Sequence, residues 1–399
     1  MGNWFKILVI NSLKKILKMK KTPISSFVIK IASRCNLNCT YCYEFNMGDD
    51  SWKRMPKIVS HDTFQKTILR IKEHADEHNL TNISISLHGG EPLLVGYDNF
   101  VHYIFTIKDI LKGFKLMIGI QTNATLLNEE FIILFTKEKI SVGVSYDGPP
   151  LINDKNRIYH NGKGSGLDVE SGLNLLKDKK CFSGILCVID VNASPIDVWR
   201  YLSDFKPPII DFLLPHANWN NLPEHHNNKD FEKFGDWFIK IFDDWYNGFN
   251  SHIRIRLFEE IIKRLLGEQG TLETLGIEPI GLVTISQNGM YEQVDTMKSV
   301  FAGAHETGLS VVNSSLNDVL NSSFVSSRQS GINGLSDTCK NCKIVNVCGG
   351  GYYPHRYSLE HNYMNPSVYC KDLYKLINHI NNRIVLNLVQ DDMKLLAIK

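Results

Sequence analysis

The sequence predicts an α/β protein, a partial (β/α)6 TIM-like barrel followed by a cysteine-rich C-terminal domain. Three observations lead there. Between about Ser25 and Leu214, six short apolar runs alternate with amphipathic stretches, the pattern of βαβ units and a parallel sheet. Polar clusters fall at the ends of four of those runs, where such barrels carry their reactive groups. Seven of the nine cysteines lie in two groups, one after the first run and one near the C terminus.

The bulk numbers fit this picture. A chain of 399 residues can hold two or three domains. Its 43% hydrophobic and 22% charged content is ordinary for a globular protein. A formal charge of +2 gives no strong field for nucleic acid or membrane. No run approaches the length of a membrane span. Clustered cysteines in odd number argue against a disulfide framework and fit metal ligation in a reducing cytoplasm. Cys181 and Cys187, in or beside an apolar run, read as core.

The elements come in order along the chain. Residues 1–24 form a basic amphipathic segment, with Trp4, Phe5, Ile7 and Leu8 ahead of Lys14, Lys15, Lys18, Lys20 and Lys21. A signal peptide has the opposite order, so a loosely docked lead-in is expected rather than a targeting or membrane-surface segment. The barrel is assigned to 25–228. Its strands are Phe27–Ile31, Ile83–Leu87, Lys115–Gln121, Ser141–Tyr146, Gly184–Val191 and Ile209–Leu214. Its helices are Asp62–Ala75, Tyr103–Leu111, Asn128–Lys137, Leu167–Lys177 and Pro195–Phe205. A helical bridge takes 229–278. There Phe231, Phe234, Trp237, Phe238, Ile241, Phe242 and Trp245 recur at three- and four-residue steps, a wide apolar face suited to core packing. Ile255–Leu266 is a second bridge helix. From 279 to 372 periodicity breaks up, glycines are frequent and strands look short, so the segment needs a staple. Residues 373–399 belong to a C-terminal helix, expected to pack back on the barrel.

The sharpest motif is Cys35-x-x-x-Cys39-x-x-Cys42. Three thiolates hold three corners of a [4Fe–4S] cube and leave one iron for a small non-protein ligand. A zinc site is the alternative, and it would need a fourth ligand. After the second run comes Gly89-Gly90-Glu91-Pro92. Two glycines let backbone approach a ligand, and a carboxylate meets an ammonium. Gln121-Thr122-Asn123 and Ser145-Tyr146-Asp147-Gly148 end two further runs, although Asp147-Gly148-Pro149 also reads as a turn. The C-terminal group is Cys339-x-x-Cys342-x5-Cys348-x21-Cys370, a zinc knuckle or a second cluster site. His225 and His226 sit in a polar loop and read as solvated.

Cys35-x-x-x-Cys39-x-Tyr41-Cys42 resembles the signature of the radical S-adenosylmethionine (SAM) superfamily. The resemblance implies that Cys35, Cys39 and Cys42 hold a cluster whose open iron binds SAM. It places Tyr41 near the adenine, and Gly89, Gly90 and Glu91 around the methionine amino group. It counts Gln121, Asn123 and Ser145, at the ends of two further barrel strands, among the SAM-binding residues, with Ser145 at the ribose and Arg157 at the SAM carboxylate. One-electron reduction then yields a 5′-deoxyadenosyl radical, and the protein supplies position and exclusion of water.

The C-terminal group resembles the SPASM extension, whose full pattern has seven cysteines and two auxiliary clusters. Val294 and Tyr352 stand at two of those cysteine positions, and no cysteine lies upstream of Val294 in this domain. These losses all fall on the first auxiliary cluster. Cys339, Cys342, Cys348 and Cys370, the ligands of the second, are all present. The expectation is therefore two [4Fe–4S] clusters in all, the auxiliary one serving structure or electron relay.

The text around Tyr291–Asp295, Gly349–Tyr357, Asn365–Cys370 and Leu214–Trp219 resembles maturases that build cyclophanes in ribosomally made peptides, including three-residue-cyclophane synthases and the darobactin-type enzyme. That resemblance implies removal of a Cβ hydrogen from a precursor peptide and carbon addition to an aromatic ring, with an ether link as a further option. The implied partners are a leader-plus-core peptide and an external one-electron reductant, in the cytoplasm. The segment before Ser25 is too short for a separate leader-binding domain, so the leader is expected on the barrel, bridge or SPASM surface. Glu292 and Asp295 are the candidate bases for the ring proton. The plain alternative is that Asp295 caps a turn and Glu292 faces solvent. His355 and Arg356 either line the substrate channel or cap the cysteine loop. Peptide epimerisation, sulfatase maturation and a metal-stapled peptide-binding scaffold are the competing functions.

Overall fold

The computed structural model describes residues 21–226 and 232–397. The lead-in of residues 1–24 lies almost wholly outside the described residues. Six strands and five helices alternate from the start: β1 (Ser26–Ala32), α1 (His61–Glu77), β2 (Asn82–Gly89), α2 (Tyr97–Ile110), β3 (Lys115–Thr122), α3 (Glu129–Glu138), β4 (Ser141–Ser145), α4 (Gly166–Leu176), β5 (Phe182–Val188), α5 (Pro195–Ser203) and β6 (Ile209–Leu213). Short polar residues start several of the helices. Ser60, Asn128 and Ser194 each accept a backbone N–H of the first turn of α1, α3 and α5, the usual cure for unpaired helix-start amides. All neighbouring pairs from β1 to β6 are parallel. The strands are nearly all apolar on the side that meets the helices, with Ile83, Ile85 and Leu87 of β2 and Val142 and Val144 of β4 buried. Cys181 and Cys187 are core residues.

After β6 come α6 (Lys233–Tyr246), a two-residue strand β7 (Arg254–Ile255) and α7 (Arg256–Leu265). Phe234, Trp237, Phe238, Ile241 and Phe242 of α6 are buried, so its apolar face is core. The C-terminal helix α8 (Cys370–Ala397) packs mainly on this pair of helices, which corrects the expectation that it packs back on the barrel. Its Leu373, Leu376, Ile377 and Ile380 are buried. The Gly235 N–H donates to Asp372 at 2.9 Å, and Asp243 on α6 faces His379 at 2.9 Å and Arg383 at 3.1 Å. Apolar stripes on both partners and matched charges at their edges explain the choice.

The C-terminal segment is not a separate sheet. Strands β8 (Leu282–Ile285), β9 (Met290–Glu292) and β10 (Glu306–Ser310) continue the barrel sheet, in the order β10-β9-β8-β1-β2-β3-β4-β5-β6-β7. β8 pairs in parallel with β1, and β9 and β10 follow antiparallel. Such a joint between a four-residue strand and one far upstream leaves no local periodicity to read.

A buried charge network locks this joint. Lys30 of β1 is 1% exposed. It pairs with Glu292 of β9 at 2.7 Å and with Glu44 of the cysteine loop. Lys298 pairs with Glu44 at 2.8 Å, and His305 lies 3.6 Å from Asp49. Burial alone would raise the Glu44 carboxyl, but Lys30 and Lys298 pull it down to about 2.

Candidate active site

A cavity of about 500 Å³ opens at the C-terminal ends of the strands. Val28 of β1, His88 of β2, Gln121 of β3, Ser145 of β4, Leu186 of β5 and Phe212 of β6 all line it. One cavity walled by six consecutive strands requires the sheet to curl, which is the partial barrel expected from the sequence.

Cys35, Cys39 and Cys42 line one wall. The loop that carries them is stitched to the glycine motif. The Gly90 N–H donates to Ala32 O at 2.8 Å, and the Glu91 N–H donates to Arg34 O at 2.9 Å. This approach leaves no room for side chains. A Cβ on Gly90 would lie 2.3 Å from Arg34 O, and one on Gly89, at φ +134°, 2.1 Å from Ala32 O. Gly89 and Gly90 line the cavity with backbone.

Glu91 differs from expectation. Its carboxylate is buried and accepts the Leu93 N–H at 2.9 Å, the Asn123 N–H at 2.8 Å and the Thr122 hydroxyl at 2.7 Å. Burial raises its pKa. Those three donors tie β2 to β3, and backbone rather than this carboxylate fronts the cavity beside the cysteines.

The other residues named from the sequence meet in this space. Gln121 donates to the Ser145 hydroxyl at 2.9 Å, and both line the cavity. Asn123 donates to Asn36 at 2.9 Å, with its amide 3.7 Å from the Cys35 sulfur. Tyr41 donates to Asp147 and receives Arg157 Nη1 at 3.2 Å. Asp147 also accepts the Val188 N–H at 3.0 Å, so it fixes this corner besides ending a strand. Arg157 is 7% exposed, and its Nε has no partner in the protein.

Asp295 also lines the cavity, accepting the Tyr43 hydroxyl at 2.7 Å and the Thr296 N–H at 2.9 Å, with His88 at 3.8 Å. Glu292 is not in the cavity lining. It is buried in the Lys30 pair, so it is neither a solvent-facing residue nor within reach of a substrate there. His355 lines the cavity, whereas Arg356 donates to Tyr363 O at 3.1 Å and to Gly334 O and caps the cysteine loop. The two alternatives thus divide between neighbours. Tyr43 and His216 complete the wall, ring to ring at 5.2 Å. Burial lowers the His216 pKa to about 4, and burial, then His216, also holds the His355 imidazole well below its ordinary value. Tyr43 was legible only as an aromatic next to Cys42.

The second cysteine group also converges. Cys339, Cys342, Cys348 and Cys370 line one cavity of about 50 Å³. Ser336 accepts the Cys339 N–H at 3.3 Å, and Gly349, Gly350 and Gly351 all have positive φ. A Cβ on Gly349 would lie 1.8 Å from Gly276 O. Val294 and Tyr352 occupy the positions where two further cysteines would stand. Tyr352 is half-buried, lines the main cavity and shares a hydrogen bond with the Thr296 hydroxyl.

These residues fit a cluster and its ligand. Burial first, then neighbouring charge, raises the Cys42 and Cys348 thiols to about 12, so crowded thiolates here need a cation. Among the described residues no three His, Cys, Asp or Glu side chains converge as a single-ion site would, unlike tetrahedral zinc. The free Arg157 Nε suits an anion beside the cysteines.

Residues 29–199 match the model of the radical SAM superfamily. This region is a radical SAM domain. The chain is a radical SAM enzyme, with SAM and [4Fe–4S] clusters as its cofactors. It is 27% identical over 91% of its length to a cysteine-type anaerobic sulfatase-maturating enzyme of Clostridium perfringens, covering 98% of that protein. A serine-type anaerobic sulfatase-maturating enzyme of Bacteroides thetaiotaomicron is 28% identical over 62% of this chain and 63% of its own. In fold the chain is similar to the anaerobic sulfatase-maturating enzyme anSMEcpe with bound AdoMet, at TM-score 0.77 and 22% identity, covering 91% of this chain and 98% of that one. It is also similar to Streptococcus suis SuiB bound to precursor peptide SuiA, at TM-score 0.57 and 16% identity, covering 92% and 81%. Among the described residues no helix is long and apolar enough to cross a membrane.

Proposed function

We propose that this enzyme is a peptide maturase that joins a Cβ of a ribosomally made peptide to an aromatic side chain. Asp295 carries the reading. It is an acceptor on the cavity wall, held by the Tyr43 hydroxyl beside the cysteine loop and by the Thr296 N–H, where a substrate proton would come within its reach. Cys35, Cys39 and Cys42 would hold the SAM-binding cluster, and Cys339, Cys342, Cys348 and Cys370 an auxiliary one. Bound there, SAM supplies a 5′-deoxyadenosyl radical that removes hydrogen from the substrate.

The chain's own residues do the rest. Gly89 and Gly90 offer backbone to the SAM amino group, and Arg157 offers its free Nε to the carboxylate. Ser145, which receives the Gln121 amide, would meet the ribose, and Tyr41 would lie near the adenine. Phe238, Leu257, Leu275 and Leu373 give the far wall an apolar surface suited to an aromatic side chain. Forming the bond breaks a Cβ–H and a ring C–H. Asp295 takes the ring proton. One electron also leaves, and the four C-terminal cysteines are the residues placed to hold its acceptor.

A second reading has a specific observation behind it. The Clostridium perfringens relative spans almost the whole chain, which favours maturation of a sulfatase. The places filled by Val294 and Tyr352 favour the first, because sulfatase maturation normally uses both auxiliary clusters. Co-expression with short precursor peptides, followed by tandem mass spectrometry, decides. Crosslinking predicts loss of two hydrogens and no backbone fragmentation between the joined residues. Modification of a single residue in a sulfatase-derived peptide would overturn it. Unchanged mass with altered chirality would mean epimerisation.

A further inference from the structure

The cavity holds one charged pair that takes no part in binding SAM or in forming the bond. Asp211 stands in the middle of β6, in register with Leu186 of β5, and Arg256 opens α7. β7 pairs with β6 at Ile209 and Ile210, so the next residue along, Arg256, comes alongside Asp211. The Arg256 Nε donates to Asp211 Oδ2 at 3.0 Å, and its Nη2 donates to the same oxygen. Both residues line the cavity, each followed in sequence by an apolar residue that lines it too, Phe212 and Leu257.

Each member of the pair keeps an unused half. Asp211 is 4% exposed, yet its Oδ1 receives no donor among the described residues. The Arg256 side chain is 48% exposed, and its Nη1 finds no acceptor among the described residues. The carboxylates near the cysteines differ: Glu44 is held by Lys30 and Lys298, and Asp147 by Tyr41 and the Val188 N–H. A buried carboxylate oxygen without a donor is costly unless a bound group supplies one.

We propose that Asp211 and Arg256 form a subsite for a side-chain carboxamide of the substrate peptide, from asparagine or glutamine. The inference rests on the reading that this cavity receives a peptide, and not on which bond is made in it. The pair is neutral as a unit. An entering carboxylate is attracted by Arg256 and repelled by Asp211, and an ammonium group meets the reverse, so either ion loses its hydration for little net field. An aliphatic side chain leaves Oδ1 bare. A trans backbone amide points its N–H and C=O in opposite directions and meets only one of the two. A carboxamide carries no charge, offers N–H to Asp211 Oδ1 and accepts from Arg256 Nη1. Groups left unpaired by the wrong side chain supply the discrimination.

The test is selection from an mRNA-displayed library of random peptides by the oxidised, cluster-loaded enzyme with SAM, followed by sequencing of the retained peptides. Wild type is expected to enrich asparagine or glutamine over leucine at one position by about 10–100-fold. Asp211→Asn leaves Arg256 unbalanced and is expected to shift that position to aspartate and glutamate. Arg256→Gln leaves Asp211 unbalanced and is expected to shift it to lysine and arginine. Iron content is expected to match wild type in both variants. Retained peptides without a carboxamide preference would overturn the proposal, as would one preference shared by wild type and both variants, and either result leaves the peptide reading standing. No retained peptide with wild type would overturn the peptide reading and this proposal with it. If Asp211→Asn costs iron, Arg256→Gln decides alone, and an unchanged preference there is equally fatal.

Discussion

Asp295 lines the cavity with two donors on its carboxylate, the Tyr43 hydroxyl and the Thr296 N–H. A base in that position acts late, after hydrogen abstraction. Asp295→Asn is therefore expected to cut crosslinked product by about 10²–10⁴, while 5′-deoxyadenosine still forms when peptide is present. A loss of both together would make the residue structural. Tyr43→Phe removes only the aligning bond, and a several-fold loss is expected. The residues of this site were unevenly legible. Cysteines at fixed spacing need no context, and Arg157 and Asp295 followed from their motifs. Glu91 was placed correctly in the chain but wrongly in chemistry, since spacing does not say which way a carboxylate turns. Lys30 left a signal that went unused, a single charge inside the apolar run Phe27–Ile31. Such a residue has to find a buried partner, and Glu292 is that partner.

At the scale of elements, two contacts outside the cavity hold the barrel to the C-terminal segment. Lys30 on β1 compensates Glu44 and Glu292 in the interior. Lys30→Met strands the Glu292 carboxylate and leaves Glu44 with Lys298 alone, and about 3–5 kcal/mol of destabilisation is expected from the denaturant midpoint. Lys30→Met/Glu292→Gln removes the stranded carboxylate and is expected to cost less than Lys30→Met alone. The second contact is His74 on α1. Its Nε2 accepts the Ile24 N–H at 3.1 Å, and Nδ1 meets Asn317 at 3.1 Å. Burial, then His78, lowers its pKa to about 4 from an ordinary 6.5. The unfolded chain thus takes a proton below pH 6.5 that the folded chain refuses until about pH 4. Stability falls as pH drops through that window, by about 1–3 kcal/mol. His74→Gln keeps an acceptor and cannot titrate, so its stability against pH is expected to be flatter there. Parallel curves for both proteins would refute the assignment. Element existence was readable because 3.6-residue and alternating patterns are local. The β8–β1 joint and the docking of α8 on α6 and α7 depend on which distant face is free, and no local pattern carries that.

Over the whole molecule, the count of clusters separates this chain from the full two-auxiliary pattern. The cysteines converge in two places, at the strand ends and in the C-terminal loop. Of the residues at the cysteine positions the SPASM resemblance implies, Val294 is 2% exposed in a small core with Met297 and Ala304, and Tyr352 lines the main cavity, hydrogen-bonded to Thr296. A cube of iron and sulfur at Val294 would have to unpack that core. Anaerobically reconstituted protein is therefore expected to bind about eight irons per chain, two four-iron clusters. Replacing Cys35, Cys39 and Cys42 by alanine should leave about four, and so should replacing the four C-terminal cysteines. The two losses differ in consequence. The first abolishes SAM cleavage outright. The second leaves a site that still cleaves SAM but has nowhere to send the electron released on rearomatisation, so 5′-deoxyadenosine forms without crosslinked peptide. About twelve irons in the intact protein would mean a third cluster, and the packing around Val294 and Tyr352 would then have to open to admit it.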